Sequence, residues 1–249
     1  MNIKNNVSQS ENRHHVTAII VAAGNSTRMG SEQSKQLIEI LDKPVIAWTI
    51  GAFQDSDLID DIVVVCRQED LLNFYDITSY FEFDKVTTVV TGGASRHESV
   101  LKGIQSANQN TEFFAIHDGA RPLILTDDIN KVIKAAFAVK AATLGVPVKD
   151  TIKFTYPSGI IKSTPDRSNI WSVQTPQVFE KELYLNALKH ASNLGREFTD
   201  DCQLIENTGN PVMMCEGDYT NIKITTPEDI YVAEDILKER EGYEDRAWI

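Results

Sequence analysis

From Val16 onward, short β-branched runs alternate with longer amphipathic stretches, the pattern of a mainly parallel sheet covered by helices. The runs VTAIIVA at 16–22, DIVVVC at 61–66, VTTVVT at 86–91, EFFAIHD at 112–118 and AATLGVPV at 141–148 predict strands. Between and after them, apolar residues return every three or four positions near 44–55, 69–79, 97–108, 127–139 and 180–193, which predicts helices. The expected fold is a single Rossmann-like α/β domain with its binding crevice at the carboxyl ends of the strands.

One stretch breaks the alternation. From Lys149 to about Trp171 the chain reads as two short extended pieces around a Pro-Ser-Gly turn, a β-hairpin arm projecting from the domain. Its apolar residues Ile152, Phe154, Ile160 and Ile161 need cover, so a homodimer is expected, with the partner subunit supplying it. The remainder reads as a helix, a strand ending at Cys215, an extended NIKIT segment and a closing helix that Pro227 starts. The expected boundaries are a disordered tail at 1–15, the folded domain at 16–240 with the arm at about 149–171, and a second tail at 241–249.

Composition narrows the function. With 249 residues, 42% of them hydrophobic, the chain can bury one large core. Its net charge of −12 disfavours a nucleic-acid partner, so any polyanion must be met by a local basic pocket. Cys66, Cys202 and Cys215 are scattered, with no CxxC and no histidine at zinc-ligand spacing, as in reduced thiols of a cytoplasm. The first 15 residues lack the apolar stretch of a signal peptide, and no later run reaches the length of a membrane span, so no membrane contact is expected. His14 and His15 are read as part of a flexible tail rather than as a metal pair.

The first strand runs into AAGNSTRMGSEQSKQ, a small-residue loop with Gly24 and Gly30, Arg28 inside it and Lys35 beyond. Such a loop brings backbone N–H groups close to phosphate, and the two cations can neutralise it. It is not a Walker A loop, since five residues separate Gly24 from Gly30 and Ser31 follows where lysine belongs. Nor is it GxGxxG, because Ser26 stands at the second glycine. By itself the loop also reads as a tight strand-to-helix connection.

The segments AAGNSTRMG with KQ following, TGGASRHESV, HDGARP, DRSNIWSVQTPQVF, FTDD and NIKITTPED closely resemble the 2-C-methyl-D-erythritol 4-phosphate cytidylyltransferase family of the non-mevalonate isoprenoid pathway, over roughly residues 16 to 240. The resemblance implies a nucleotidyltransferase fold, CTP as co-substrate, a divalent cation such as magnesium, and a cytoplasmic homodimer. It also implies roles for the matching positions. Ala22, Ala23 and Gly24 would form the nucleotide loop, and Arg28 and Lys35 its triphosphate-binding cations. Gly93, with Gly92, and Ser99 would contact the nucleotide, as would Asp118 and Gly119. Asp118 would also reach the substrate region and the metal. Arg121, Thr151, Arg167 and Thr175 would contact the sugar phosphate, Thr151 and Arg167 across a dimer interface, and Lys223 would bridge the two ligands. Arg28, Lys35 and Lys223 are therefore the expected catalytic groups.

His117 is read as structural, because it and Asp118 point to opposite faces of a strand and cannot form a simple dyad. Asp166, Trp171 and Pro176 are read as packing residues. Two positions depart from the family pattern: Ser34 stands where Pro is frequent, and Ala94 where an acidic residue is common. The alternatives are a ribitol 5-phosphate cytidylyltransferase of teichoic-acid synthesis and a nucleotide-binding protein without turnover. A dinucleotide-dependent oxidoreductase is disfavoured by the missing GxGxxG.

Overall fold

The computed structural model describes residues 13–24, 34–194, 198 and 200–242, with the side chains of 192–194 excepted. Its strands are β1 (Val16–Val21), β2 (Glu39–Ile40), β3 (Lys43–Pro44), β4 (Asp61–Cys66), β5 (Val86–Thr91), β6 (Phe113–Asp118), β7 (Ala141–Pro147), β8 (Phe154–Thr155), β9 (Ile161–Ser163), β10 (Trp171–Glu180) and β11 (Met213–Glu216). Its helices are α1 (Val45–Gln54), α2 (Leu71–Tyr80), α3 (Arg96–Gln105), α4 (Thr126–Val139), α5 (Lys181–Leu194), α6 (Asp201–Glu206) and α7 (Glu228–Arg240).

Seven strands form the central sheet in the order β11-β7-β10-β6-β1-β4-β5. β1 pairs in parallel with both β4 and β6, β4 with β5, and β11 with β7. Only β10 runs against its neighbours, β6 and β7. That strand was not foreseen: Pro176 lies in its middle, and a proline has no N–H to give a ladder. The sheet tolerates it by shifting register between Val173 and Gln177 on the β7 side.

Alternation along the strands divides the core into two layers. Ala18 and Ile20 of β1 face one cluster with Ile46, Ile50 and Phe53 of α1, Phe74 of α2 and Val132 of α4. Ile19 faces the other with Val100 and Ile104 of α3, Tyr184 of α5 and Leu204 of α6. A smaller cluster seats α7 through Ala233 and Leu237 against Ile40, Leu123 and Ile224. The β-branched strand runs read as continuous rather than alternating because helices cover both faces.

β8 and β9 pair antiparallel as a separate two-stranded ribbon, turned by Gly159 at φ +82°. Phe154, Tyr156, Ile160 and Ile161 on this ribbon are all at least half exposed, whereas Ile152 is half-buried. The 221–225 segment, expected to be extended, joins no sheet and enters through turn bonds from the Asn221 N–H to the Asp218 carbonyl and from the Ile222 N–H to the Thr220 carbonyl.

Residues 13–15 correct the expected tail boundary. His14 Nδ1 lies 2.8 Å from a Glu112 carboxylate oxygen with its ring against Phe113 and Phe137, and His15 Nε2 lies 3.3 Å from Asp61. The paired histidines thus tie the chain down at the amino end of β1, where carboxylates of β4 and of the residue before β6 await them. Residues 1–12 and 243–249 lie outside the described residues.

Candidate active site

The chain leaves β1 for β4 and then β5 on one side, and places β6 on the other side of β1. Connections that diverge in this way leave a crevice outside the carboxyl ends of the two central strands. A cleft of about 400 Å³ lies there, lined among others by Ala23, Gly24, Lys35, Gly93, Arg96, Ser99, Asp118 and Lys223.

The backbone around this cleft is built by close approach. Ala22 N–H donates to the Val65 carbonyl (2.7 Å) and Gly119 N–H to the Val21 carbonyl (2.8 Å), so the loops after β1 and β6 leave the sheet together. Gly92, just after β5, sits so near them that a Cβ there would lie 2.3 Å from Ala23 Cβ and 2.7 Å from Ser99 Oγ. The Ser99 hydroxyl accepts the Gly93 N–H (3.1 Å) and donates to the Ser95 carbonyl (2.9 Å), while Ser95 caps α3 by accepting the Glu98 N–H. At Ala94, where an acidic residue was expected, the backbone N–H donates to the Glu98 carboxylate (2.7 Å). Ser34 is buried and its hydroxyl donates to Gln36 Oε1 (2.6 Å).

Lys35 and Lys223 are far apart in sequence and meet here. Lys35 Nζ donates to the carbonyl of Ile224 (2.6 Å), the residue after Lys223. Lys223 Nζ lies 2.9 Å from Asp118 Oδ2, and the guanidinium Nε atoms of Arg96 and Arg121 lie 3.6 Å from the same carboxylate. Burial alone would push the Asp118 carboxyl up, but Lys223, Arg96 and Arg121 outweigh it and hold the group well below the usual carboxylate range. Asp118 is thus a permanent anion inside a cationic cup.

Arg96 escaped the sequence reading. Its Nη1 also binds Asp201 (2.6 Å), which accepts a further hydrogen bond from Tyr184 (2.6 Å). A signal existed, since an arginine one residue into the helix beside the paired glycines is placed to face whatever those glycines approach. Of the remaining expected site residues, Arg121 donates to the Asn221 carbonyl (2.8 Å) and is not part of the cleft lining. Thr175 is buried beneath it, its hydroxyl shared between the Asp118 N–H (3.1 Å) and His117 Nδ1 (3.0 Å). Thr151 and Arg167 lie outside the cleft lining, at the exposed ribbon, where Arg167 binds the Lys149 carbonyl. Arg28 lies outside the described residues.

His117 is fully buried, its ring 4.9 Å from that of Phe53, and burial pushes its pKa down to about 3 despite the neighbouring Asp118. Among the described residues no group of three or more His, Cys, Asp or Glu is placed to hold a metal ion. No helix among them is long and apolar enough to cross a membrane.

The family model of IspD, 2-C-methyl-D-erythritol 4-phosphate cytidylyltransferase, matches residues 16–239. The chain belongs to this family. Among curated proteins of that name, the one from Caldanaerobacter subterraneus subsp. tengcongensis is 46% identical over 225 residues, covering 90% of this chain and 99% of the relative. That from Desulforamulus reducens is 44% identical over 227 residues, covering 91% and 97%. Among solved structures, 4-diphosphocytidyl-2C-methyl-D-erythritol synthase from Anaerococcus prevotii superposes with a TM-score of 0.81 at 30% identity, covering 90% of this chain and 99% of that one. The IspD family model thus takes in β1 through nearly all of α7, including every element that borders the cleft.

Proposed function

We propose that this chain is a transferase that moves a cytidylyl group from CTP to 2-C-methyl-D-erythritol 4-phosphate, giving 4-diphosphocytidyl-2-C-methyl-D-erythritol and pyrophosphate. Family membership sets the reaction. The observation that carries it to these residues is the meeting of Lys35 and Lys223 beside Asp118, at the point where the sheet opens.

In the proposed reaction a phosphate oxygen of the polyol phosphate attacks the α-phosphorus of CTP, and the bond to the β-phosphate oxygen breaks with its electrons leaving on pyrophosphate. A phosphate monoester is already an anion near neutral pH, so the protein needs no general base. Its work is to hold two polyanions in line and to neutralise charge that grows on the α-phosphate in the transition state. Lys35 and Arg28 are assigned to the triphosphate, and Lys223 to the space between the two ligands. Ala22, Ala23, Gly24, Gly93, Ser99, Asp118 and Gly119 are assigned to the nucleotide. With its one proton given to Ser95, Ser99 Oγ keeps a lone pair for a donor on the base.

The divalent cation is assigned to Asp118. One carboxylate suits magnesium, which keeps waters and phosphate oxygens rather than seeking an all-protein cage, and Asp118 Oδ1 lies 3.6 Å from Arg96 Nε, beyond hydrogen-bond distance. Bound there, the ion would screen the triphosphate. A homodimer through the ribbon is supported by the exposure of Phe154, Ile160 and Ile161, and would let Thr151 and Arg167 serve the partner's sugar-phosphate site. Cytoplasmic residence is supported by three unpaired cysteines.

Pyrophosphate release with CTP and magnesium tests the reading, with methylerythritol 4-phosphate and ribitol 5-phosphate as rival acceptors. Release with the first only is expected. Release with the second only would move the chain to a different acceptor, and silence with both would overturn turnover itself.

A further inference from the structure

Beneath the cleft, four residues close a ring of hydrogen bonds. The Thr175 hydroxyl pairs with His117 Nδ1 (3.0 Å), His117 Nε2 with the Arg121 carbonyl (3.3 Å), Arg121 Nη1 with the Asn221 carbonyl (2.8 Å), and Asn221 Nδ2 with the Thr175 carbonyl (3.0 Å). The directions are fixed by chemistry. A carbonyl only accepts, so a neutral imidazole must carry its proton on Nε2 and accept at Nδ1. Thr175 therefore donates to His117, and its oxygen is left to accept the Asp118 N–H (3.1 Å).

Both members of the central ion pair hang on this ring. Asp118 is held through Thr175. Lys223 lies between two anchors to the segment after β6: Asn221 below it accepts from Arg121, and Ile224 above it donates its N–H to the Ala120 carbonyl (2.8 Å). His117 and Asn221 have no exposed surface and line no part of the cleft.

We propose that His117 and Asn221 are positioning residues: the ring they close holds Asp118 and Lys223 in the register that nucleotidyl transfer requires. This rests on the proposed reaction. Four buried hydrogen bonds restrain the 221–225 segment, which has no sheet to hold it, even though Arg121 Nε and Asn221 Oδ1 have no hydrogen-bond partner among the described residues. Arg121, expected from the resemblance to contact substrate, thereby also fastens Lys223. The Thr175 hydroxyl spends its proton inward, so its contribution to substrate binding runs through Asp118.

The test is a double-mutant cycle on His117→Asn, which keeps an acceptor for Thr175 and loses the donor to Arg121, and Asn221→Ala. Each is expected to lower kcat about 100-fold, as misplacement of a reacting group by about 1 Å does, with KM for CTP nearly unchanged. Because either change opens the same ring, the double variant should fall less than about threefold below the poorer single one. Losses that multiply, or a kcat that stays intact while only the melting temperature drops, would overturn the proposal. Thr175→Val is expected to match the single variants and Thr175→Ser to recover activity to within about threefold, a pair that decides the question should His117→Asn fail to fold. A crystal structure of Asn221→Ala reads the ring without substrate. The Lys223 to Asp118 distance should open from 2.9 Å to beyond about 4 Å, and an unchanged distance refutes the ring even if the native protein proves to use another acceptor.

Discussion

His117 makes stability fall with acidity in a window that one substitution should remove. The imidazole is fully buried and neutral, its pKa pushed down to about 3 by burial, with Asp118 opposing and Arg121 assisting. In the unfolded chain it regains an ordinary value of about 6.5. The folded value being the lower one, the unfolded state binds more protons below about pH 6.5, and stability is lost progressively as the pH falls from there toward 3. One pH unit below the unfolded value, at pH 5.5, the loss is about 1.4 kcal/mol, a roughly tenfold shift of the folding equilibrium. That pH stays above the isoelectric point of about 4.9, so the protein keeps its negative charge. Urea unfolding at pH 7.5 and 5.5 of the native chain and of His117→Gln measures it, because glutamine can still donate to the Arg121 carbonyl but cannot titrate. The native protein should lose about 1.4 kcal/mol more than the variant between the two pH values. The remaining four of the chain's five histidines are common to both proteins and cancel. An equal loss in the two proteins, or an NMR titration showing His117 protonated in the folded state at pH 5.5, would refute the reasoning.

Replacing Lys35 or Lys223 by Met should lower kcat about 10²–10³-fold, as loss of a charge aimed at the developing anion does; for Lys35→Met the melting temperature should move by only a few degrees, and a parallel collapse of fold and activity would refute its assignment. Gly92→Ala places a methyl against Ala23 and Ser99, and should cost about 1–3 kcal/mol by calorimetry while raising KM for CTP more than KM for the acceptor. Phe154→Ser with Ile161→Ser should convert a dimer into monomers by light scattering, with turnover lost alongside; a variant that stays dimeric would place the interface elsewhere. Chelation of divalent cation should abolish pyrophosphate release and magnesium restore it, and full activity in chelator would remove the metal from Asp118.

The five strands called from β-branched runs all formed within about a residue of their expected ends, because a strand covered on both faces leaves an unbroken apolar signature. β10 left none. Its residues Gln174, Thr175 and Gln177 are buried yet polar, hydrogen-bonded to a loop at Asp218, to Asp118 of β6 and to Asp201 of α6, so a reading that equates burial with hydrophobicity passes over it. The same limit hid the ring. Asn221 and His117 look like a loop polar residue and a strand interruption until the fold sets them on either side of Arg121. Lys35, Asp118 and Lys223, which the fold brings to one cleft, stand out in the sequence because charges beside apolar runs contrast with their background, whereas most of the glycine loop lies outside the described residues. Arg96 is a charge of that kind, but it sits inside a helix whose capping explains its neighbours.

Under the proposed reaction a chain with a net charge of −12 must admit two polyanions, and the arrangement around Asp118 suits that task. Lys223, Arg96 and Arg121 converge on one carboxylate within 3.6 Å, with Lys35 held beside them through Ile224. Like charges this close, partly desolvated, would repel one another strongly without an anion among them. Asp118 supplies that anion, and Asp201 a second one behind Arg96. The cations are therefore already oriented, and little reorganisation is needed when a triphosphate brings further negative charge to their outer side. Asp118 thus helps keep the cationic cluster assembled before substrate arrives, and the cluster is not cancelled, because Lys223, Arg96 and Arg121 outnumber the two carboxylates Asp118 and Asp201. Electrostatic preorganisation of this kind acts on charge as it develops, which is where a phosphoryl-transfer site gains its rate.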